Sequence, residues 1–466
     1  MRHEKLWPTG AVALVVTAML GATPAHAEPP APAAGAVPVS AGDLDPSFGT
    51  GGSVLSDVGG GAVDTLVQPD GTIITVASAP LRAGGPTAFT VTRHLADGSP
   101  DPSFGTGGTV RTDVTGTGGA STVSAVARQS DGRLVVVGTA WPRTADSRFA
   151  VVRYLPDGSL DPSFGAGGIV LTQIPFSVAG SRSYATAVAV GGDGRIVVAG
   201  TTSARAETDW VPTFAWTVVR YLPDGALDAS LGGTGIAHPP VGGRNDARSV
   251  LLQPDGKIVV AGDSGTNHYR LYLLTADFTL ARLLPNGSRD TTFGDNGVVR
   301  TSFPNRHSSI ARVLRQPDGK LVAVGWSGGL IYSTPVHRVA LARYRANGAP
   351  DSGFGTGGLV ETDVRADGAA DRGATAALRA DGRIVVAGGS SSATTAGHTD
   401  IFVGRYLSTG APDPAFGTGG VAVTDADPSA AVEHAAAVAL YPDGRVLAAG
   451  TSVATGSRTV LVRYLP

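Results

Sequence analysis

Seven copies of one phrase, a period near 60 residues and strand-like alternation inside every copy predict an all-β fold, a seven-bladed β-propeller of four-stranded antiparallel blades. The phrase stands whole at 153–170, RYLPDGSLDPSFGAGGIV, and its last copy stops at RYLP, 463–466. An Asp-Gly recurs at Asp70, Asp131, Asp193, Asp255, Asp318, Asp381 and Asp443, and an Arg before an aromatic or aliphatic pair at Arg93, Arg153, Arg220, Arg282, Arg343, Arg405 and Arg463. A D-x-S-F-G turn places Phe48, Phe104, Phe164, Phe293, Phe354 and Phe416, with Leu231 in the worn copy DASLGGTG.

Composition agrees with that architecture. Of 466 residues, 42% are hydrophobic and 16% charged, and 66 are glycine, which suits short strands and tight turns better than helices. Net charge is −2 with no block of one sign, so neither nucleic acid nor anionic membrane is favoured as a partner. No cysteine is present, which excludes disulfides and a lipid-attached cysteine.

Residues 1–27 read as a secretory signal peptide: the basic start MRHEK, the apolar run LWPTGAVALVVTAMLGA and the small-x-small site Ala25-His26-Ala27. The run is too short for a spanning helix. Cleavage after Ala27 removes Arg2, Lys5 and Glu4, taking the charge from −2 to −3. Residues 28–42, EPPAPAAGAVPVSAG, read as an extended, mobile linker, and 43–466 as the propeller. No sorting tail follows the last repeat, so a secreted, extracellular product is expected, and with no oligomer interface visible, a monomer.

Unit three shows the four strands: GIVLT (168–172), ATAVAV (185–190), RIVVAGTT (195–202) and TFAWTVVRYL (213–222). The strand before each Asp-Gly is rich in Ala and Ser, as the crowded centre of a ring requires, and is assigned innermost, A. B, C and the outer D follow, and QPDG or GGDG reads as a two-residue A–B hairpin. Because the chain opens with a D strand, SVLSD (53–57), and closes with A, B and C, the N-terminal strand is predicted to complete the last blade beside TVLVRYL (459–465).

Strand alternation points each repeated Arg at the apolar face carrying Val91, Val151, Val218, Leu280, Leu341, Val403 or Leu461. A guanidinium there needs a partner, and Asp101, Asp161, Asp228, Asp290, Asp351 and Asp413 each lie eight residues after an Arg. Arg463 and Asp45 are left over, and they match if the ring closes. Arg153–Asp161 and Arg463–Asp45 are thus expected as structural pairs. The DGSLD acids lack the alternating oxygen ligands of a calcium loop, so no metal is assigned to them. The turn phenylalanines are read as wedges between blades.

At these residues the chain resembles the delta-60 repeat family of bacterial secreted and surface proteins, through L-D-P-S-F-G-x-G-G-x-V (44–54), A-x-Q-P-D-G-K-I-V-V-A-G (250–262) and A-R-Y-x-x-D-G (341–348), with small departures. The resemblance covers 43–466 and implies a propeller, with no established activity and no catalytic residues to carry over. Unit four departs most, at GTGIAHPP, which implies an irregular outer strand.

Function is expected on the face of the variable B–C and D–A loops, since the A–B and C–D turns are nearly uniform. The longest loops offer Trp141, Trp210, Tyr269, Tyr272, Trp326 and Tyr332 as a ligand-binding set, suited to a glycan, peptide or protein; covering loop backbone is the alternative use of those rings. Asp64, Tyr184, Asp246, Arg372, Glu433 and His434 are expected to ring the channel mouth. No histidine pair has metal-ligand spacing, and no phosphate loop or nucleophile elbow is visible, so neither a cofactor nor a catalytic residue is assigned. The leading reading is a non-catalytic binding scaffold. The alternative is an extracellular polysaccharide hydrolase or lyase at the channel mouth, which requires its titratable groups to converge on one point.

Overall fold

The computed structural model describes residues 40–57, 60–116, 118–143, 146–175, 181–204, 213–268, 273–303, 307–329, 337–394 and 397–466. Its regular elements are all strands. The innermost strands of blades one to seven are Ala62–Val67, Ala120–Arg128, Arg182–Val190, Arg244–Leu252, His307–Arg315, Asp371–Leu378 and Val432–Leu440. Each packs beside the next, and Val432–Leu440 packs beside Ala62–Val67, so the seven form a closed ring.

Blades one to five are separate four-stranded antiparallel sheets. Blade seven takes A, B and C from Val432–Leu440, Val446–Val453 and Ser457–Tyr464, and D from Ser53–Ser56. The seam register pairs Ser53 with Val462, Val54 with Leu461, Leu55 with Val460 and Ser56 with Thr459. Blades six and seven merge into one sheet through a single parallel bridge, Thr399 to Val432. The outer strand of blade three is only Ile236–Ala237, where the other blades have four residues, matching the irregular GTGIAHPP entry. The described residues begin at Ser40, inside the stretch read as linker. Gly42 donates to the Leu465 carbonyl and Gly417 to that of Ala41, which ties residues 41 and 42 to the last strand and to the blade-six turn.

The core lies between blades. Seven apolar clusters occupy the seven junctions, including one in which Phe48, Ala62 and Ile73 meet Leu447, Ala449 and Leu461 across the seam. Side chains that alternate along each strand therefore serve two clusters, one on either side of the blade. The A–B turns hold three residues rather than two. Gly71 donates to Gln68 and Gln68 to Thr72, enclosing Pro69-Asp70-Gly71 with Gly71 at a φ of 85°.

All seven Arg–Asp pairs form at 2.7–2.8 Å, including Arg463 Nε to Asp45 Oδ2. Six guanidiniums also lie 4.4–4.8 Å above a turn phenylalanine, and Leu231 removes the ring beneath Arg220. The phenylalanines do wedge: Phe104 of blade one sits so close beneath the blade-two turn that a Cβ on Gly158 would lie 2.8 Å from its ring. The same Arg reaches the next blade, for example Arg220 to the Pro285 carbonyl at 2.6 Å and Arg463 to that of Ala96. Each of these Asp residues except Asp101 carries a second cation from the A–B turn, such as Arg195 on Asp228 at 2.9 Å and Arg445 on Asp45 at 3.2 Å. Sequence reasoning missed that cation, although a basic residue follows six of the seven Asp-Gly pairs. The Asp157 Oδ1 atom that a calcium loop would use accepts instead from the Ser159 amide and hydroxyl.

Candidate functional site

Every inner strand carries a β-bulge at one register position, for example between Ala247 and Ser249 and between Gly373 and Thr375. In blades two to seven the residue of strand B opposite the bulge is a glycine, and in blade one it is Ala77; a Cβ on Gly262 would lie 2.0 Å from the Asp246 carbonyl oxygen. The bulge re-aims the strand at the axis, so Ser124, Thr186, Arg248, Ala311 and Ala374 help line a cavity of about 520 Å³ in the channel.

Immediately before it, one ring level holds Thr122, Tyr184, Asp246, Ser309, Arg372 and His434, each paired with the residue after a strand-B glycine. Four of the six residues expected at the mouth therefore share a level: Tyr184, Asp246, Arg372 and His434. The other two do not. Asp64 lies past the bulge and is buried, its Oδ2 accepting from Val126 of blade two. Glu433 is 1% exposed and turned into the blade six–seven junction, where its Oε2 accepts from Ala426. The physical reason is alternation: residues 433 and 434 point opposite ways, and only one can face the channel.

The two expected sets meet. Trp326, from strand B of blade five, lies with its ring 5.3 Å beneath the Arg372 guanidinium of blade six. His337 packs edge-on to Trp326 at 4.7 Å with Nε2 3.4 Å from Arg372 Nη2, and His307 lies 5.2 Å from the same indole. Trp141 likewise contacts Tyr184, centroids 6.2 Å apart. Trp210, Tyr269, Tyr272 and Tyr332 fall outside the described residues.

Beside this aromatic wall, Asp263 accepts from Arg248 Nε and from the Ser309 hydroxyl, both at 2.8 Å. Sequence reasoning missed all three. Nothing in their spacing marks them, because bulge and ladder bring together positions 15 and 46 residues apart. Burial would lower the Arg248 pKa, but Asp263, with Asp246 beside it, more than offsets that and raises it. Burial lowers that of His434. Among the described residues no carboxylate pairs with Arg372, which is exposed to the cavity. Burial raises Asp64, opposed by Arg312 and by the amides of Val126 and Thr65. Asp64 and Glu433 are buried on backbone amides away from the ring level that holds Asp246 and Arg372, so the four do not share one level of the channel. The site can bind and orient an anionic or planar group.

No curated protein matches the chain. Solved structures with a similar course include a protein of unknown function from Dyadobacter fermentans (13% identity, 91% of this chain and 100% of that one, TM-score 0.46). Another is the β-propeller domain of the trilobed protease from Pyrococcus furiosus (9%, 88% and 94%, 0.41). A third is a polysaccharide lyase of the ulvan lyase PL25 family, bound to -[GlcA(1-4)Rha3S]- (11%, 89% and 95%, 0.46). The family model described as "Domain of unknown function (DUF5122) beta-propeller" matches seven times, at 68–104, 129–164, 191–231, 253–293, 316–354, 379–416 and 442–466. Those matches span more than half of the sequence, one per blade, and the chain belongs to this β-propeller family.

Proposed function

We propose that the protein is a secreted, non-catalytic scaffold of the delta-60 repeat type that binds an extracellular glycan, peptide or protein at the channel mouth of blades four to six. The observation carrying this reading is Arg372, a cation stacked on Trp326 at the edge of a cavity of about 520 Å³ and lacking a carboxylate partner among the described residues. An exposed guanidinium on an indole face offers a fork of donors for a carboxylate or sulfate and an apolar wall for a ring. The ligand class favoured is therefore one carrying an anionic group, such as a uronate-bearing saccharide or an acidic peptide. Asp263 already neutralises Arg248, which leaves Arg372 as the group that selects charge.

The test is an array of neutral and acidic glycans and peptides probed with the wild-type chain, Arg372→Ala and Trp326→Ala. Expected is retention of an acidic ligand, weakened at least about tenfold by either change, which corresponds to roughly 1.4 kcal/mol. Retention unaffected by both changes, or cleavage of a polymer by the wild type, overturns the reading.

A further inference from the structure

Three of the seven repeats place an Arg five residues before the strand-C Arg: Arg148, Arg338 and Arg458. Two of these face the aspartate that ends the adjoining D strand, Arg338 with Asp363 at 2.9 Å and Arg458 with Asp57 at 4.0 Å. Blades five and seven, on either side of blade six, thus hold a cation beside the end of their D strand. Blade six has Asp400 at that place. Here Asp400, Asp425 (after Val421–Thr424) and Glu433 of blade seven each bring one carboxylate oxygen within 4.8 Å of the others.

The internal neutralisation is incomplete. Arg365 holds Asp400 through Oδ2. Asp427, next in the cluster, is fully engaged by Arg458, Ser429 and Ser452. Four carboxylates thus face two guanidiniums. Asp425 has no hydrogen bond or ion pair among the described residues. The Oε1 atom of Glu433, on a side chain 1% exposed, is buried with no hydrogen-bond partner, an arrangement that costs free energy unless something fills it. The backbone beneath is fixed by the parallel bridge from Thr399 to Val432 and by the Thr399 amide on the Ala431 carbonyl.

We propose that Asp400, Asp425 and Glu433 bind one hard divalent cation of the calcium class on the variable-loop face at the blade six–seven junction. The cation occupies the place taken by an arginine at the neighbouring junctions. An all-oxygen donor set without nitrogen or sulfur suits calcium rather than zinc, and Asp425, being exposed, leaves room for water to complete the shell.

The test uses the purified chain stripped with EDTA and titrated with calcium chloride, followed by calorimetry and thermal melting. Expected is one calcium per chain and a midpoint rise of about 3 °C at saturating calcium. Asp425→Asn removes an exposed ligand that supports no packing, so it should fold normally and lose at least about tenfold in calcium affinity. Asp400→Arg restores the arginine of the neighbouring junctions and should melt at or above the calcium-loaded wild type without calcium. Asp371→Asn, at the equivalent place one junction earlier, should leave the calcium response unchanged. No heat and no melting shift with wild type at millimolar calcium overturns the proposal, as does a calcium response that survives both Asp425→Asn and Asp400→Arg.

Discussion

A buried guanidinium is tolerated only where its charge and all its donors are met, and Arg463 shows how completely this repeat does so. It is 2% exposed, pairs with Asp45, donates to Ser47 and Ala96, and covers the Phe48 ring. Removing one partner of such a pair strands the other charge, so Arg463→Ala or Arg153→Ala should cost about 3–5 kcal/mol in urea unfolding. The aspartates add a pH dependence. Burial alone would raise Asp45, Asp228 and Asp290, but hydroxyl and amide donors from Ser47, Ser230 and Thr292, together with their cations, hold each near 2, against 3.8 when unfolded. A depressed folded pKa gives stability that is present above pH 4 and lost as pH falls from 4 through 2. Each aspartate contributes about 2 kcal/mol by this route. Urea titrations at pH 6, 4 and 3 should show that decline, and Asp228→Asn should flatten it. The Arg–Asp pairs were legible in sequence because both partners sit at fixed positions of a strictly periodic unit. The trio Asp400, Asp425 and Glu433 was not, since its members meet only across two strands and a blade boundary.

At the scale of the element, the hairpin of strands A and B is set in blades two to seven by two glycines with different duties, the second being replaced by Ala77 in blade one. The one in the turn supplies a positive φ. The one in strand B makes room for the bulge: a Cβ on Gly450 would fall 1.9 Å from the His434 carbonyl oxygen. Gly450→Ala should therefore force the inner strand to move, at about 3 kcal/mol, whereas Gly419→Ala, at a positive φ in the C–D turn of blade six with nothing within 4 Å, should lose only the glycine's φ preference of about 1 kcal/mol. Comparing the two by denaturant titration separates crowding from backbone preference. Strand identities and order were readable from the alternating Val and Ala runs. The bulge was not, because an extra residue in an Ala-rich strand leaves no compositional trace, and it is the bulge that decides which side chains enter the channel. Asp64 was misplaced at the mouth for that reason.

For the whole molecule, stability rests on seven nearly equivalent junctions, and a ring is only as secure as the one that must be closed last. Deleting residues 43–57 removes strand D of blade seven, Asp45 and Phe48 together, stranding Arg463 and uncovering Leu461 and Val462. The shortened chain should unfold over a broader denaturant range and at lower midpoint. Limited proteolysis should cut it first in blades one and seven. Blade number and closure were legible because each needs only a count and an unmatched strand. The ligand was not, because the loops that would contact it follow no period.

The hydrogen bond from Gly42 to Leu465 brings the two ends of the propeller within a single peptide's reach. A circularly permuted protein, with those ends spliced through a few residues and new termini opened at the Asp255-Gly256 turn, would keep every pairing of the ring except that one hairpin link. Its starting point along the circle is then a matter of gene layout, and permutants cut at any of the seven Asp-Gly turns should reach the same fold.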